Sequence, residues 1–281
     1  MKAVAYPVGP SFTRRHAVSD LLSALLLGIL EGLTEFLPIS STGHLLIAQH
    51  WLGARSDFFN IVIQAGAILA VTLAFRQRLW ELATHLHEPA SRDYVAKIAV
   101  AFLVTALVGL PVRLAGWELP ETVTPVAWAL VLGGAWMLLA EHYAGKRGDV
   151  AAVTWKVAVA VGLAQVVAGV FPGTSRSAAA IFLAMLVGTS RRASATEFVF
   201  LVGIPTMFAA SGFAFVELAM DGGLGGEDWT AVAVAFSAAA LTGFVVVRWL
   251  MGYIKAHRFT GFAIYRIVLG VLLLALMPAG S

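Results

Sequence analysis

The sequence predicts an all-α polytopic membrane protein, and three of its features support this prediction. Its 281 residues are 59% hydrophobic and only 12% charged, whereas about a quarter of the residues in an ordinary soluble domain are charged. Long runs without any charged residue lie at 58–75, 123–140, 198–216 and 229–247. Each run approaches the roughly 20 residues that a helix needs to cross the hydrocarbon layer. The third feature is that polar side chains and proline concentrate together in two short stretches.

Hydropathy divides the chain into about ten helical segments with short connections. Six are expected to be full crossings, at 58–76, 94–115, 123–141, 197–219, 229–249 and 260–277. The other four form two pairs, 19–36 with 43–53 and 156–170 with 176–188, each interrupted by a polar stretch that contains proline. Irregular backbone at membrane depth is tolerated only where it is buried in protein or lines a wet cavity. We therefore expect two re-entrant hairpins that build a site.

The two interrupted pairs resemble each other. A shift of 134 residues places Gly28 on Gly162, Glu31 on Gln165, Pro38 on Pro172, Ser40 on Thr174 and Ser41 on Ser175. Each half, about 19–141 and 154–277, then contains one broken hairpin and three crossings. Because three is odd, the second half enters from the opposite side. This predicts an inverted-topology repeat within one membrane domain, 1–281, with the hairpin tips meeting near the midplane.

The charges of the linkers predict an orientation. The linkers 76–97, 141–156 and 248–258 are rich in Lys and Arg, whereas 221–228 holds Asp221, Glu227 and Asp228 and no basic residue. The positive-inside rule makes the first three linkers cytoplasmic and places both chain ends outside. Arg14 and Arg15 precede an apolar stretch without a convincing small-residue cleavage site, so we expect this segment to be retained. A net charge of +3 spread over short linkers indicates no nucleic-acid partner.

The chain has no cysteine, which excludes disulfides, thiolate nucleophiles and cysteine-ligated metals. The first polar stretch, "EGLTEFLPISSTGHLL" at 31–46, instead offers carboxylates. Glu31 and Glu35 are one helical turn apart on the same face. Two carboxylates at membrane depth are stable together if they share a proton or bind Mg²⁺ or Ca²⁺. The pair therefore predicts a divalent metal site.

Hydroxyls and a histidine follow the break at Pro38. Ser40, Ser41 and Thr42 stand where the next helix begins, and the N-terminus of a helix favours anions such as phosphate. These hydroxyls also fit simple N-capping. His44 lies close behind, where it could activate a hydroxyl or attack phosphorus itself.

The second polar stretch, "FPGTSRSAAAIF" at 171–182, supplies a cation. Gly173 allows the backbone to approach a ligand closely. Thr174, Ser175 and Ser177 surround Arg176, whose guanidinium is a planar, always-charged fork suited to phosphate oxygens. We expect Arg176 to bind phosphate, whereas Arg191, Arg192 and Arg266 are expected to reach the membrane surface with their charged ends.

The motifs "EGLTEFLPISSTGH" and "PGTSRS", with the crossing that begins "FNIVIQAGAILAV", closely resemble the bacterial undecaprenyl-diphosphate phosphatases of the bacitracin-resistance type. The resemblance runs from about Ser19 to Met277. It implies an interlocked inverted repeat in the bacterial inner membrane, with the site open to the periplasm. It also implies hydrolysis of undecaprenyl diphosphate to undecaprenyl phosphate and inorganic phosphate, which recycles the lipid carrier for cell-wall synthesis. The chain departs from the family motif at Ala178 and Ala180, where glycine and threonine are common.

The resemblance implies roles for the residues of both motifs. Ser41 is expected to be the nucleophile with His44 as base; direct attack by His44 and attack by a metal-bound water remain open. Glu35 and Glu31 would hold Mg²⁺ or Ca²⁺. The expected diphosphate-binding residues are Ser40, Thr42, Gly173, Thr174, Ser175, Arg176 and Ser177. The implied partners are a polyprenyl diphosphate and membrane lipids, and a homodimer is left open.

Two other functions compete with this interpretation. Inverted repeats with broken helices are common in transporters, so a transporter or flippase of lipid-linked or small anionic substrates is the main alternative. Transport requires charge compensation but no nucleophile, base and carboxylate pair in one place. A structural protein of the cell envelope would tolerate replacement of Arg176 and Glu35.

Overall fold

The computed structural model contains eleven helices and no strand in the residues that it describes, which are 14–115, 122–220 and 226–276, excluding the side chains of 14–19 and 113. The helices are α1 (Arg14–Thr34), α2 (Ser41–Leu52), α3 (Asp57–Ala74), α4 (Arg76–Thr84), α5 (Pro89–Leu114), α6 (Val123–Gly145), α7 (Trp155–Val170), α8 (Arg176–Val187), α9 (Arg192–Met220), α10 (Trp229–Ala256) and α11 (Thr260–Leu276). The all-α prediction is confirmed.

Five of these helices, α3, α5, α6, α9 and α10, are long and apolar enough to cross a membrane. The sixth predicted crossing is α11, whose 17 residues extend about 26 Å at 1.5 Å per residue. That length is at the lower limit for a crossing. The chain is therefore a multi-pass membrane protein. Asp221 of the acidic linker and both chain ends lie outside the described residues.

The basic linker 76–97 contains a short helix that hydropathy did not predict. The nine-residue α4 is short and polar, so a search for apolar segments does not detect it. Its Arg78 forms an ion pair with Glu197 on α9 at 3.0 Å and a longer one with Glu81 at 3.5 Å. The segment is thus fastened to α9.

The two hairpins, α1–α2 and α7–α8, arise from proline. Helix α1 ends at Thr34, ahead of Pro38, and α7 ends at Val170, ahead of Pro172. Proline lacks the N–H that would continue a helix, and it disfavours helical backbone at the preceding residue. The chain therefore leaves the helix inside the protein and starts again at α2 or α8.

The register of the repeat changes by one residue inside the breaks. Ser40 caps α2 and has a φ of 75°, whereas Ser175 caps α8 and has a φ of 67°. Ser40 is therefore the counterpart of Ser175, and the predicted match of Ser41 with Ser175 was wrong. Ser175 follows Pro172 by three residues, whereas Ser40 follows Pro38 by two, and a shift without gaps cannot match this difference.

Glycine allows close packing at equivalent points of the two hairpins. A Cβ on Gly28 of α1 would lie 2.2 Å from the carbonyl oxygen of Ala235 on α10, and a Cβ on Gly162 of α7 would lie 2.6 Å from that of Ala101 on α5. This likeness agrees with the predicted match of Gly28 with Gly162. The inverted orientation of the two halves stays a prediction.

Replacing Gly28 with alanine should destabilise the protein, because the new methyl group meets backbone of α10 that cannot move aside. We expect a loss of about 1–3 kcal/mol, typical of overpacking, seen as a lower thermal midpoint in detergent. Gly252→Ala, on α10 itself, is the control, since nothing lies within 4 Å of its Cβ position. An unchanged midpoint for Gly28→Ala would contradict the close approach of α1 and α10.

Candidate active site

Residues from both helix breaks meet at a polar cavity of about 30 Å³. The residues lining it are Glu35, Ser40, Ser41, Thr42, Gln64, Ala168, Gly173, Ser175 and Arg176. Seven of the predicted site residues are in this set, contributed by both motifs. The other four, Glu31, His44, Thr174 and Ser177, are not part of the lining. The two tips, far apart in sequence, therefore form one site.

Two helices begin at this cavity, and both are capped by serine. The Oγ of Ser40 accepts a hydrogen bond from the backbone N–H of Gly43, and the Oγ of Ser175 accepts one from Ala178, each at 3.3 Å. Both serines have a positive φ, which is uncommon for residues other than glycine. Such backbone strain concentrates at functional sites. The remaining N–H groups of both first turns carry partial positive charge that favours an anion.

Arg176 adds a full positive charge to the cavity. Its side chain is partly buried, and it has no hydrogen bond or ion pair with any other residue that the structure describes. A guanidinium forms its strongest interactions as a two-pronged donor to carboxylate or phosphate oxygens. The arrangement therefore suits an anionic group that enters the cavity from outside the protein.

A hydroxyl and a carboxylate are paired at the same cavity. The Oγ of Ser41 donates a hydrogen bond to Oε2 of Glu35. A hydroxyl has a single proton, so Glu35 is its acceptor in this structure. This pair has the arrangement of a nucleophile with its general base.

His44 has different partners from those the sequence suggested. Its Nδ1 lies 2.6 Å from the carbonyl oxygen of Ser40, and its Nε2 lies 2.7 Å from the hydroxyl of Tyr265 on α11. Because a carbonyl can only accept, Nδ1 carries a proton, and in a neutral ring Nε2 accepts from Tyr265. His44 thus fixes the peptide of Ser40, directly before Ser41, and the two rings stack with centroids 5.6 Å apart.

Glu31 is suited to hold a cation. Its side chain is 0% exposed, and neither carboxylate oxygen has a hydrogen-bond partner. An unpaired buried carboxylate is costly, and hard cations take oxygen ligands. Among the described residues no group of three or more His, Cys, Asp or Glu could hold a metal. The remaining ligands would therefore have to be hydroxyls, the amide of Gln64, or phosphate oxygens of a substrate.

Sequence reasoning missed Gln64, Tyr265 and Arg266. The prediction that Arg266 reaches the membrane surface was wrong: it is 0% exposed, and its guanidinium donates to carbonyl groups of both breaks. The sequence does contain an indication of this role, since Arg266 stands in the middle of an apolar segment. An ionisable residue at membrane depth is a functional candidate by default.

An apolar groove of about 470 Å³ runs beside the second break, between α6, α7 and α8. Its lining includes Trp128, Leu132 and Trp136 of α6, Phe171 at the end of α7, and Leu183 of α8. Thr174 borders the groove, whereas its neighbours on either side, Gly173 and Ser175, border the polar cavity. Polar and apolar binding spaces therefore share the same tip.

A family profile and individual protein sequences both match this chain over most of its length. The profile of the family described as bacitracin resistance protein BacA matches residues 24–272. A protein of Xanthomonas campestris pv. campestris named undecaprenyl-diphosphatase is 74% identical over 93% of this chain and 100% of its own length. Proteins of the same name from Stenotrophomonas maltophilia and Xanthomonas euvesicatoria pv. vesicatoria are 76% and 72% identical, each over 94% of this chain and 100% of their own lengths.

The cavity should bind inorganic phosphate. A ligand that binds only the folded state at ten times its Kd stabilises by about 1.4 kcal/mol, so phosphate should raise the thermal midpoint of the wild type. Arg176→Gln should abolish this rise. Arg191→Gln, which removes only an exposed ion pair with Asp149, should retain it. An equal rise in Arg176→Gln would exclude Arg176 as the phosphate ligand.

Proposed function

Since the chain belongs to the family of bacitracin resistance protein BacA and dephosphorylates undecaprenyl diphosphate, we propose that the reaction takes place in the polar cavity between the two helix breaks. The observation that carries this proposal is the unpaired guanidinium of Arg176 in the same cavity as the Ser41–Glu35 pair. The first group is suited to hold a phosphate, and the second to attack it.

In this proposal, the diphosphate is bound by Arg176, the N-terminal N–H groups of α2 and α8, and nearby hydroxyls. Ser40, Thr42 and Ser175 line the cavity. Thr174 borders the apolar groove, and Ser177 supports the two tips through hydrogen bonds with the hydroxyl of Ser175 and the carbonyl of Leu37. Donors arranged in advance around the terminal phosphate stabilise the charge that develops in the transition state without reorganising.

Ser41 attacks the terminal phosphorus while Glu35 takes the hydroxyl proton. The bond from that phosphorus to the bridging oxygen breaks, and the departing undecaprenyl monophosphate takes the proton from Glu35. Water then attacks the phosphoserine, gives its proton to Glu35, and releases inorganic phosphate as Ser41 regains a proton. The hydrogen bond from Ser41 favours Glu35 over His44 as base. We assign to His44 the role of holding the Ser40 peptide in place. The alternatives to attack by Ser41 are attack on phosphorus by His44 itself or by a water molecule.

Glu31 and Glu35 would hold a Mg²⁺ or Ca²⁺ ion, which fits the unpaired oxygens of Glu31. Such an ion neutralises charge on the phosphate oxygens. The carboxylates would otherwise repel an incoming diphosphate, and a bound cation would reduce this repulsion.

The groove between α6, α7 and α8 receives the first part of the prenyl chain in this proposal. The substrate is amphiphilic, so its apolar chain and its diphosphate need adjacent apolar and polar spaces. Thr174 borders the groove and its two neighbours border the cavity. A volume of about 470 Å³ is within the usual range for a small-molecule site.

The basic linkers favour an inner-membrane orientation with the site open to the periplasm. Supporting this, Gly173 approaches Val126, in the first turn of α6, and α6 enters from the side opposite the basic linker 141–156. Homodimer formation stays a prediction.

Purified protein should release phosphate from undecaprenyl diphosphate when Mg²⁺ or Ca²⁺ is present, and a chelator should stop the release.

Ser41→Ala and Glu35→Gln should each lower kcat by about 10³-fold, as expected for loss of a nucleophile or its base. His44→Gln should lower it less. A labelled phosphopeptide containing Ser41 would support serine attack, and one labelled at His44 would contradict it. Lipid movement across vesicles without phosphate release would favour the flippase instead.

Filling the groove should weaken binding of the long-chain substrate specifically. We expect Ala179→Phe to raise KM for undecaprenyl diphosphate about tenfold with little change in kcat, and to leave turnover of isopentenyl diphosphate unchanged. Ala210→Phe is the matched control, because Ala210 is an exposed residue of α9 outside the groove. Equal KM values for wild type and Ala179→Phe would place the prenyl chain elsewhere.

A further inference from the structure

The most deeply buried cation in the described part of the chain lies next to the site but does not line its cavity. Arg266, in the middle of α11, is 0% exposed, and no acidic side chain pairs with it among the described residues. Taking a guanidinium out of water without a counter-charge is unfavourable. The surroundings must therefore supply several acceptors, and those acceptors define what the residue does.

The acceptors are backbone carbonyls from three separate segments. Nη1 donates to Pro38 of the first break at 3.3 Å and to Thr174 of the second break at 3.0 Å. Nη2 donates to Gly173 at 3.1 Å, to Thr174 at 3.0 Å, and to Ala129 of α6 at 3.0 Å. One rigid group thus joins both hairpin tips to α6 and α11.

The neighbouring sequence makes room for this contact. A Cβ on Gly133 of α6 would lie 2.2 Å from Nη2 of Arg266, so a larger residue there would displace the guanidinium. A second, weaker link joins the same two tips, since Ser177 donates to the carbonyl of Leu37 at 3.2 Å. The tips are therefore held by donors directed at carbonyl groups that lie within the two breaks, outside any helix.

We propose that Arg266 is a positioning residue that sets the distance between the two halves of the site. Pro38 lies three residues before Ser41, and Thr174 lies two residues before Arg176. By binding both carbonyls, Arg266 fixes the hydroxyl of Ser41 relative to the guanidinium of Arg176. This inference rests on the proposed function for its kinetic consequence, but the distance that it fixes can be measured without turnover.

The kinetic consequence is a split between kcat and KM. Without Arg266, each tip keeps its own groups, so Arg176 still binds phosphate and the groove still binds the prenyl chain. The alignment of Ser41 with phosphorus is lost, and a misplacement of about 1 Å can cost about 10²-fold in rate. Arg266→Met should therefore lower kcat about 10²-fold and change KM less than threefold. Arg266→Lys should recover little, because an ammonium cannot reach both carbonyls as a fork does.

Gly133→Ala tests the same contact without removing the arginine, in case Arg266→Met does not fold. Its control is Gly134→Ala, whose Cβ would lie 2.6 Å from Ile267 and 2.7 Å from the carbonyl of Ala263. Both variants disturb the packing of α6 on α11, but only Gly133→Ala displaces the guanidinium. We expect a fall in kcat of at least tenfold for Gly133→Ala and less than twofold for Gly134→Ala.

The distance between the tips can be read directly, because the chain has no cysteine. Spin labels at His50→Cys, near the end of α2, and at Val187→Cys, the last residue of α8, report the separation of the two hairpins. We expect one narrow distance distribution in wild type and Gly134→Ala, and a broadened or shifted one in Arg266→Met and Gly133→Ala. Unchanged distances in the latter two, or an equal loss of kcat in both glycine variants, would overturn the proposal. If wild type releases no phosphate, the proposed function fails, while the distances still test the positioning.

Discussion

A helix that breaks inside a membrane leaves backbone N–H and C=O groups without intrahelical partners, and the hydrocarbon offers none. The described part of the chain contains two helix breaks, which we propose lie at membrane depth, and the protein satisfies their carbonyl groups from within. Arg266 donates to Pro38, Gly173 and Thr174, and Ser177 donates to Leu37. Because these donors reach across from one break to the other or from a common helix, satisfying the backbone also brings the two tips together. The existence of a single site depends on this constraint.

The same breaks also free backbone N–H groups, and these attract anions instead of hydrogen-bond donors. They begin α2 and α8, and with Arg176 they give the cavity a positive character. Glu31 and Glu35 oppose it with two carboxylates, one without any hydrogen-bond partner and one bonded to Ser41. Within the described part of the chain, the cavity thus leaves a guanidinium without an anionic partner and, close to it, a carboxylate without a hydrogen-bond partner. These unpartnered groups distinguish a site from a polar plug that only stabilises the fold.

The second tip also separates two chemical environments. Successive residues 173–175 alternate between the polar cavity and the apolar groove. A lipid with a charged end can therefore place its two parts on the two sides of one short loop. The close packing of Gly162 of α7 against α5 holds the hairpin that carries this loop.

The sequence by itself determined the helices, the two proline breaks and most of the cavity lining, because hydropathy, proline and the cost of charge in hydrocarbon act locally. It also predicted that Arg176 and the glutamates share a site. Only the tertiary structure decided the partners of three groups: Ser41 bonds to Glu35, His44 to Ser40 and Tyr265, and Arg266 to carbonyls of both breaks. The bonds of His44 to Tyr265 and of Arg266 to Pro38 join segments more than 200 residues apart and leave no local pattern. Ser41 and Glu35 are close in sequence, but their pairing depends on how the chain turns at the break between them. The same holds for the one-residue change of register and for the polar helix α4, whose contact with Glu197 is a property of the folded chain.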